Sequence, residues 1–500
     1  MKPHNVSCTH SVLLPSPEIK FLEQRVCEKD QISLYQLMQR AGQAVFDTAR
    51  ERFPDAQNWL VLIGSGNNAG DGLEIARLAH EAGLNVDVRS VKQNAQFKAE
   101  AAEAFALFSE AGLTLSQFDE QALTHKDLVI DALLGTGLQG PLIENYLELI
   151  RSLNSAKVLQ DYKVVSVDVP SGLNADTGAA HGAAVEADLT ISLMADKPGL
   201  HTGVARVTVG ELAIKPLSEN MPDVNSKVIL DDADALIRSI PHRSAVSHKG
   251  HSGRCLLIGG GEGYSGAIIL AAEAAMRTGV GLLTVITCEA TREPLLSRLP
   301  EAMVRTVNDP ETANLTRLIE QADAILIGPG LGQEAWAESL WRMVLESNKP
   351  LIVDADALNL LARNKTMRDD WLLTPHPGEA GRLIGLSISE IEQDRFSVVK
   401  QLMQQYGGSV ILKGAGSLAG YHRDLISVSD RGNAGMATAG MGDVLSGILV
   451  ALAVRGLSLE QVARIGLALH GTAGDNAAES GEQGMLASDL INQIRPLVNH

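Results

Sequence analysis

The sequence predicts two α/β domains in tandem, each built on a mainly parallel sheet, and three observations predict it. Apolar runs ending in Gly alternate with helix-like stretches from residue 59 to about 210 and again from about 253 to the C-terminus, the rhythm of β-α units. The stretch between the two series, KPLSENMPDVNSKVILDDADALIRSIPHRSAVSHKG (215–250), mixes Pro, Ser and charge and lacks a sustained apolar period. The 500 residues also exceed what one ordinary core holds. A boundary near 216–228 is expected, with domains over 1–222 and 223–500.

In the first series the strand candidates are WLVLIG (59–64), NVDVRSV (85–91), DLVIDALLG (127–135), VVSVDVP (164–170) and ADLTISLM (187–194). In the second they are RCLLIGGG (254–261), GLLTVIT (281–287), AILIGPG (324–330), PLIVDAD (350–356), WLLTPH (371–376) and SVILKGAG (409–416). The Gly-rich loops of the two halves differ in pattern, and no internal repeat joins them.

Composition narrows the function classes. Hydrophobic residues make up 45%, yet Arg, Asp, Glu or Gly interrupts every apolar run before the roughly eighteen residues a membrane span needs. The N-terminus has no basic stretch leading into a long apolar one, so no secretory signal is expected and a cytoplasmic location is. Cys8, Cys27, Cys255 and Cys288 are scattered and form no CxxC pair, which argues against a disulfide framework and a zinc site. The 60 acidic against 42 basic residues give a formal charge of −18, and such a surface repels a phosphate backbone, so no nucleic-acid partner is expected. An anionic ligand would have to be held by backbone N–H groups, helix N-termini, a metal ion or a few placed cations.

The first candidate constellation is GSGNNAGDG (64–72), between an apolar strand and the helix-like EIARLAHEAG. Glycines there let the backbone approach a ligand closely, although a tight β-α turn also favours Gly and Asn. Two more strand ends carry polar residues on the same expected sheet edge: Asp131 with GTGLQGP (135–141), and Asp168 within VDVPSGL (167–173). In an open α/β sheet that edge binds ligands. An unpartnered carboxylate on an apolar strand is costly, so Asp131 and Asp168 each want a cation, a ligand hydroxyl, a proton-transfer role or a turn to cap.

These motifs, GSGNNAGDG, VIDALLGTGLQGP and VSVDVPSGLNADTG in this order, resemble the N-terminal domain of the YjeF family, the NAD(P)H-hydrate epimerases, over about residues 20–215. The resemblance implies that Asn67, Asn68, Ala69, Gly70 and Asp71, with Gly135, Thr136, Gly137, Leu138, Gln139, Gly140 and Pro141, bind the hydrated dinucleotide. It implies that Asp168 contacts the reacting part and is catalytic, and that Asn68, Asp131 and Ser171 ligate a potassium ion. Oxygen donors suit a hard cation.

The second constellation is RGNAGMATAGMGDVLSGILVALAVRG (431–456). AGMGD presents backbone donors at the start of an apolar helix, an anion pocket with Asp443 on the first turn. A carboxylate beside a phosphate site is unfavourable unless it has a task, such as taking a proton from a hydroxyl that attacks a phosphoryl group; the alternative is a simple complement to the helix dipole.

This stretch resembles the GxGD signature of ribokinase-like enzymes. Together with KGHSGRCLLIGGGEGYSGAIILAAEAAMRTGVGLLTV, AILIGPGLG, PLIVDADALNLL, LTPHPGEAGRLIG and VILKGAGSL, it resembles the C-terminal YjeF domain, the ADP-dependent NAD(P)H-hydrate dehydratase, over about residues 228–497. The expected fold is therefore a Rossmann-like three-layer α/β/α domain followed by a ribokinase-like α/β domain. The resemblance implies that Ala267, Gly332, His376 and catalytic Asp443 contact the hydrated nucleotide. Lys413, Gly414, Ala415, Gly416, Ser417 and Gly442 would hold the adenine nucleotide, with magnesium and ADP as co-substrate. Met441 stands where the family usually has Thr, which removes a hydroxyl from the phosphate site if that hydroxyl acts there. His376, between two prolines, either contacts substrate or fixes its loop.

The implied partners are the NADH and NADPH hydrates and ADP, with no membrane. Apolar helices such as VLSGILVALAV add the expectation of a homo-oligomer. Three other readings compete. A vitamin- or sugar-type kinase shares the GxGD logic, and GGGEGYSG after RCLLI partly mimics a dinucleotide-binding fingerprint of an oxidoreductase. The N-terminal half could also be a scaffold rather than an enzyme.

Overall fold

The computed structural model describes residues 10–92, 95–138, 140–246, 248–310 and 314–499. The chain forms two compact α/β units, one over Val12–Ser226 and one that begins at Lys227 and takes in His10 and Ser11.

The N-terminal unit carries seven strands in the order Leu115–Gln117, Asn85–Ser90, Asn58–Ile63, Leu128–Ala132, Lys163–Val167, Leu189–Leu193 and Glu211–Lys215. Every neighbouring pair is parallel. The central strands are buried almost throughout, as parallel strands covered by helices on both faces must be. On one face the helix Leu34–Arg52 packs its stripe of Leu37, Met38, Ala41, Val45 and Ala49 into the core. Its start is set by a capping box in which Ser33 and Gln36 satisfy each other's backbone N–H.

The C-terminal unit carries eleven strands. Its parallel part runs Ser409–Leu412, Trp371–Leu373, Leu351–Val353, Ala324–Ile327, Arg254–Ile258, Leu282–Thr287 and Met303–Thr306. Ser417–Tyr421 and Leu425–Ser429 extend it antiparallel, followed by Val228–Asp231 and His10–Leu13. The segment 215–250, read from the sequence as a connection, thus supplies the strand Val228–Asp231 and the helix Ala233–Arg238, both too short to show a period.

The helix Met441–Ala453 is apolar on all sides, and eleven of its thirteen residues are buried. Its apolar surface is covered by its own unit, which removes the sequence-based reason for expecting a second chain against it. It lies against the helix Ser265–Thr278 so closely that a Cβ at Gly447 would stand 2.2 Å from the Ala271 carbonyl oxygen. Alanine there would gain about 1 kcal/mol of helix propensity. The clash is with main chain, however, and relieving it means displacing one helix, which typically costs about 1–3 kcal/mol or more. Gly447→Ala is therefore expected to lower the urea midpoint of the C-terminal unit; an unchanged midpoint would show that the two helices have slack.

Candidate active sites

In the N-terminal unit the chain leaves Asn58–Ile63 for Asn85–Ser90 on one side and later returns to Leu128–Ala132 on the other. The loops after the two central strands part at that point, which leaves a crevice at the carboxyl edge of the sheet. The crevice is a cavity of about 690 Å³, lined by Asn67, Asn68, Asp71, Gly135, Thr136, Gly137, Leu138, Pro141 and Asp168 among others. Not every expected residue faces it. Ala69 is buried in the core cluster, and Gly70 faces the Met38 side chain, because alternate positions of one helical turn point inward. Gly140 sits exposed in the same loop as Gly137, and Gln139 lies outside the described residues.

Asp131 ends its strand fully buried and fully partnered. Its Oδ2 accepts from Ser166 Oγ (2.8 Å) and the Ser171 N–H (2.9 Å), and its Oδ1 from Ser171 Oγ (2.5 Å) and the Leu133 N–H (3.3 Å). Burial nonetheless raises its pKa against the pull of those donors. Asn68 is buried on the cavity wall, and its Nδ2 has no partner.

Asp168 follows its strand with φ +69°, a left-handed backbone that a residue other than Gly adopts at a cost of about 1–3 kcal/mol. Its Oδ1 accepts from the Leu193 N–H (3.0 Å) and from the ammonium of Lys197 (2.7 Å). Lys197 is completely buried and also donates to Ser192 Oγ (2.7 Å) and to the carbonyls of Leu193 (3.1 Å) and Ala195 (3.2 Å). The sequence reading missed this lysine. Its signal was available: a Lys three residues beyond the apolar ADLTISLM run, at the same sheet edge as the candidate carboxylates. Two further carboxyls line the cavity. Burial, then the charge of Asp168, pushes Glu23 up to about 7, although Lys197 and Lys20 oppose the shift. Burial and the charges of Asp168, Glu23 and Glu74 hold Asp71 well above the usual carboxylate range.

The C-terminal unit has the same kind of switch point, between Arg254–Ile258 and Ala324–Ile327. Ala267, on the first turn of Ser265–Thr278, sits against Gly330, and the Gly332 N–H donates to Asp356 Oδ2 (2.9 Å); both belong to the loops that flank the switch. Asp443 lies on the first turn of Met441–Ala453, which opens on Gly440 with φ +91°, a conformation that a side chain would resist. Met441 turns its side chain into the core and so supplies apolar packing where the resemblance expects a hydroxyl. Its carbonyl accepts from Nε2 of the buried His470 (3.0 Å), which burial keeps neutral by lowering its pKa to about 4.

Lys413 and Asp354 anchor the floor of the site. The Lys413 ammonium donates to Asp354 Oδ1 (2.9 Å) and lies 3.8 Å from Glu379, and a Cβ on Gly442 would be 3.3 Å from it. Asp354 also accepts from Thr374 Oγ1 (2.9 Å) and Ser446 Oγ (2.6 Å); burial works against its charge, but Lys413 and the two hydroxyls hold its pKa below the usual range. The loop from Lys413 to Gly416 is pinned by the buried Arg395, which donates to the Leu412, Lys413 and Gly416 carbonyls at 3.4–3.5 Å. His376 fixes its loop: its N–H donates to Glu379 Oε2 (2.8 Å), and Nδ1 accepts from the Gly378 N–H (3.0 Å). The ring is half-exposed, with its Nε2 3.5 Å from Glu379 Oε1, and burial with Lys413 and Arg382 lowers its pKa. Asp354 and Glu379 escaped the sequence reading as site residues, although Asp354 follows the apolar PLIV as Asp131 follows VI.

A family model described as NAD(P)H-hydrate dehydratase matches residues 255–496, and one described as YjeF-related protein N-terminus matches residues 34–199. The chain is 43% identical over 502 residues to the bifunctional NAD(P)H-hydrate repair enzyme Nnr of Escherichia coli, covering 100% of this chain and 96% of that one. It is 42% identical to the enzyme of the same name from Coxiella burnetii, covering 98% and 100%. Among solved structures, a ribokinase-like superfamily protein from Enterococcus faecalis superposes with a TM-score of 0.50 and 34% identity, over 56% of this chain and 98% of that one.

Asp443 yields a stability prediction whose sign is unusual for an aspartate. Burial first, then Asp354, raises its pKa to about 7 against the pull of Lys413, while an unfolded Asp titrates near about 4. Between those values the folded chain holds a proton that the unfolded chain has lost, so stability falls as pH rises through that window. Asp443→Asn abolishes the slope. The ligand-free variant is expected to melt above the parent at pH 8 and close to it at pH 4; a gap of equal size at both pH values would contradict the assignment.

Proposed function

The chain belongs to the bifunctional NAD(P)H-hydrate repair enzymes, and we propose that its two sites divide the repair between them. The N-terminal unit, over 1–222, interconverts the C6 epimers of the hydrates, with Asp168 moving a proton. The C-terminal unit, over 223–500, dehydrates the S epimer, with ADP as phosphoryl donor. One observation carries the reading of the second half: the half-buried Asp443 at a helix N-terminus, with its pKa raised to about 7 and the ammonium of Lys413 close by.

Hydroxide is a poor leaving group at neutral pH, and phosphorylation of the 6-hydroxyl removes that obstacle. Asp443, as carboxylate, takes the hydroxyl proton while the oxygen attacks the terminal phosphoryl of ADP and AMP departs. The C6–O bond then breaks with loss of phosphate, the C5 proton leaves, and the C5=C6 bond of the reduced nicotinamide is restored. Lys413, Gly442 and the loop over Arg395 hold the nucleotide, and the backbone donors at the start of Met441–Ala453 face the transferring group. Among the described residues no three His, Cys, Asp or Glu side chains are placed to hold a metal together. Magnesium fits as an ion carried largely by the phosphates, with one or two site carboxylates completing its shell and neutralising charge.

Potassium fits the N-terminal donor set in chemistry. Asp131 and Ser171 are already in contact, and Asn68, on the cavity wall, would offer its Oδ1, since the unpartnered atom of its amide is the donor Nδ2. The ion would anchor the phosphate-binding loops, while Asp168 stands apart from it on Lys197.

The test is recovery of the reduced-nicotinamide absorbance from mixed R and S hydrates with ADP and magnesium. The parent is expected to recover all of it, and Asp168→Asn only the share present as S epimer. Asp443→Asn is expected to lose a factor of about 10²–10⁴ in dehydration rate. Normal turnover by Asp443→Asn would refute the dehydratase assignment, and full recovery at the normal rate by Asp168→Asn the epimerase assignment.

A further inference from the structure

We propose that Glu23 is the proton donor that works opposite Asp168, so that epimerisation opens and recloses the hydrate ring between a carboxyl and a carboxylate anchored on Lys197. The proposal rests on the epimerase reading of the N-terminal site and deepens it.

Glu23 sits where a helix normally places apolar residues. On Ser16–Asp30 the buried positions are Ile19, Leu22 and Val26, and Glu23, four residues after Ile19 and three before Val26, falls on that same inward stripe. The helix is fixed there at its start, where the Ser16 N–H and Oγ donate to Asp176 Oδ1 at 2.7 and 2.8 Å. The Glu23 side chain consequently lines the cavity that Asp168 lines, from an element ahead of residues 34–199 that the epimerase-type family model matches. A carboxyl on an apolar stripe is destabilising unless it is protonated or used.

The charges around it favour the protonated form. Lys20 and Cys27 face it from its own helix, Asp71 from Asn67–Glu81 with Glu74 behind, Glu100 from Glu100–Glu110, and Asp168 and Lys197 from the sheet edge. Carboxyls outnumber ammonium groups, and the Lys197 ammonium is spent on Asp168 at 2.7 Å. Burial and Asp168 accordingly push Glu23 up to about 7, whereas Asp168 accepts two hydrogen bonds, one of them from an ammonium. A carboxyl held protonated, facing a carboxylate that accepts from an ammonium, is an acid opposite a base.

The hydrate supplies a reaction that needs both. Its C6 carries the hydroxyl and is bonded to ring nitrogen N1, so it is a hemiaminal. Asp168 takes the hydroxyl proton, C6=O forms, the C6–N1 bond breaks, and N1 receives the proton of Glu23. The product is an open-chain aldehyde with an enamine N–H. Rotation about C5–C6 turns the other face of the carbonyl to N1. Reclosure forms the C6–N1 bond, returns the N1 proton to Glu23 and delivers the Asp168 proton to oxygen. Nothing is oxidised or reduced, and no water enters or leaves.

The test uses the full-length chain with purified S hydrate and no ADP, and follows appearance of the R epimer by chromatography. The parent rate is expected to fall as pH rises past about 7, as Glu23 loses its proton. Glu23→Gln should epimerise at least ~10²-fold more slowly and lose that alkaline limb. Glu23→Asp should retain the limb at a reduced rate. ADP-dependent dehydration should be unchanged, and an unchanged thermal melt of the N-terminal unit reports that the unit carrying Glu23 stays folded. A Glu23→Gln rate within about twofold of the parent with the limb unchanged would overturn the proposal, and so would a slowed reaction that keeps the limb, which would assign the proton to a neighbour such as Asp71. Failure of the parent itself to epimerise would instead sink the reading on which the proposal rests.

Discussion

Both sites depend on a lysine at the carboxyl edge of a parallel sheet, fully buried in one unit and part-buried in the other, and paired there with an aspartate. In the N-terminal unit the pair is Lys197 with Asp168 at 2.7 Å, and in the C-terminal unit Lys413 with Asp354 at 2.9 Å. Such pairs contribute little to stability, since desolvation of two ions offsets most of their attraction, and well-packed apolar residues of the same volume often serve as well or better. Removing one partner is another matter, because it strands a buried charge at a cost of about 3–5 kcal/mol. Each pair therefore fixes a charge in place more than it strengthens its core, and the surrounding carboxyls titrate in the field it sets.

The two units use that constraint differently. Lys197 grips the very carboxylate assigned to chemistry, and φ +69° at Asp168 together with the Leu193 N–H leaves that side chain little freedom. Lys413 grips Asp354 instead, and Asp443 is left with only part of the lysine's field. Burial first, then the like charges of Asp354, Glu379 and Asp356, keep Asp443 protonated up to about pH 7. A base that ionises near the working pH is well matched to a hydroxyl proton, since a stronger acid would be a poor acceptor and a weaker one would stay protonated.

Most of the strand framework was legible because parallel strands are covered on both faces and so read as unbroken apolar runs; all eleven strand candidates are strands. Five of the seven missed strands among the described residues fall into two kinds. Leu115–Gln117, Glu211–Lys215 and Met303–Thr306 are edge strands with exposed positions, which dilutes the apolar signal. Ser417–Tyr421 and Leu425–Ser429 are buried, but their apolar residues are interrupted by Ser, Gly and Ala, whose small side chains fill a crowded sheet without announcing it. The site followed the same division. Asp131, Asp168 and Asp443 stand out against apolar or glycine-rich neighbours, whereas Lys197 and Glu379 acquire their meaning only from partners many residues away in the chain or across a turn. Glu23 is the instructive miss: on a helix with three buried residues among many polar ones, an acid on the inward stripe is visible only once the stripe is known.

The proton requirements of the two halves run in opposite directions. On the proposed roles, Asp443 must be a carboxylate to accept the hydroxyl proton, so dehydration gains as pH rises through about 7, whereas Glu23 must be a carboxyl to protonate N1, so epimerisation loses over the same range. Repair of a mixed pool needs both steps, and its rate is set by the slower. A fall in pH below neutrality bears on dehydration, and a rise above it bears on the supply of the usable epimer. Each site is about half in its working form near pH 7, and both reach that point through burial beside other carboxyls rather than through a shared residue. A chain that carries both activities on separate sheets can thus be tuned to one pH by the same physical device used twice, burial displacing the acids upward and a lysine in each unit limiting how far.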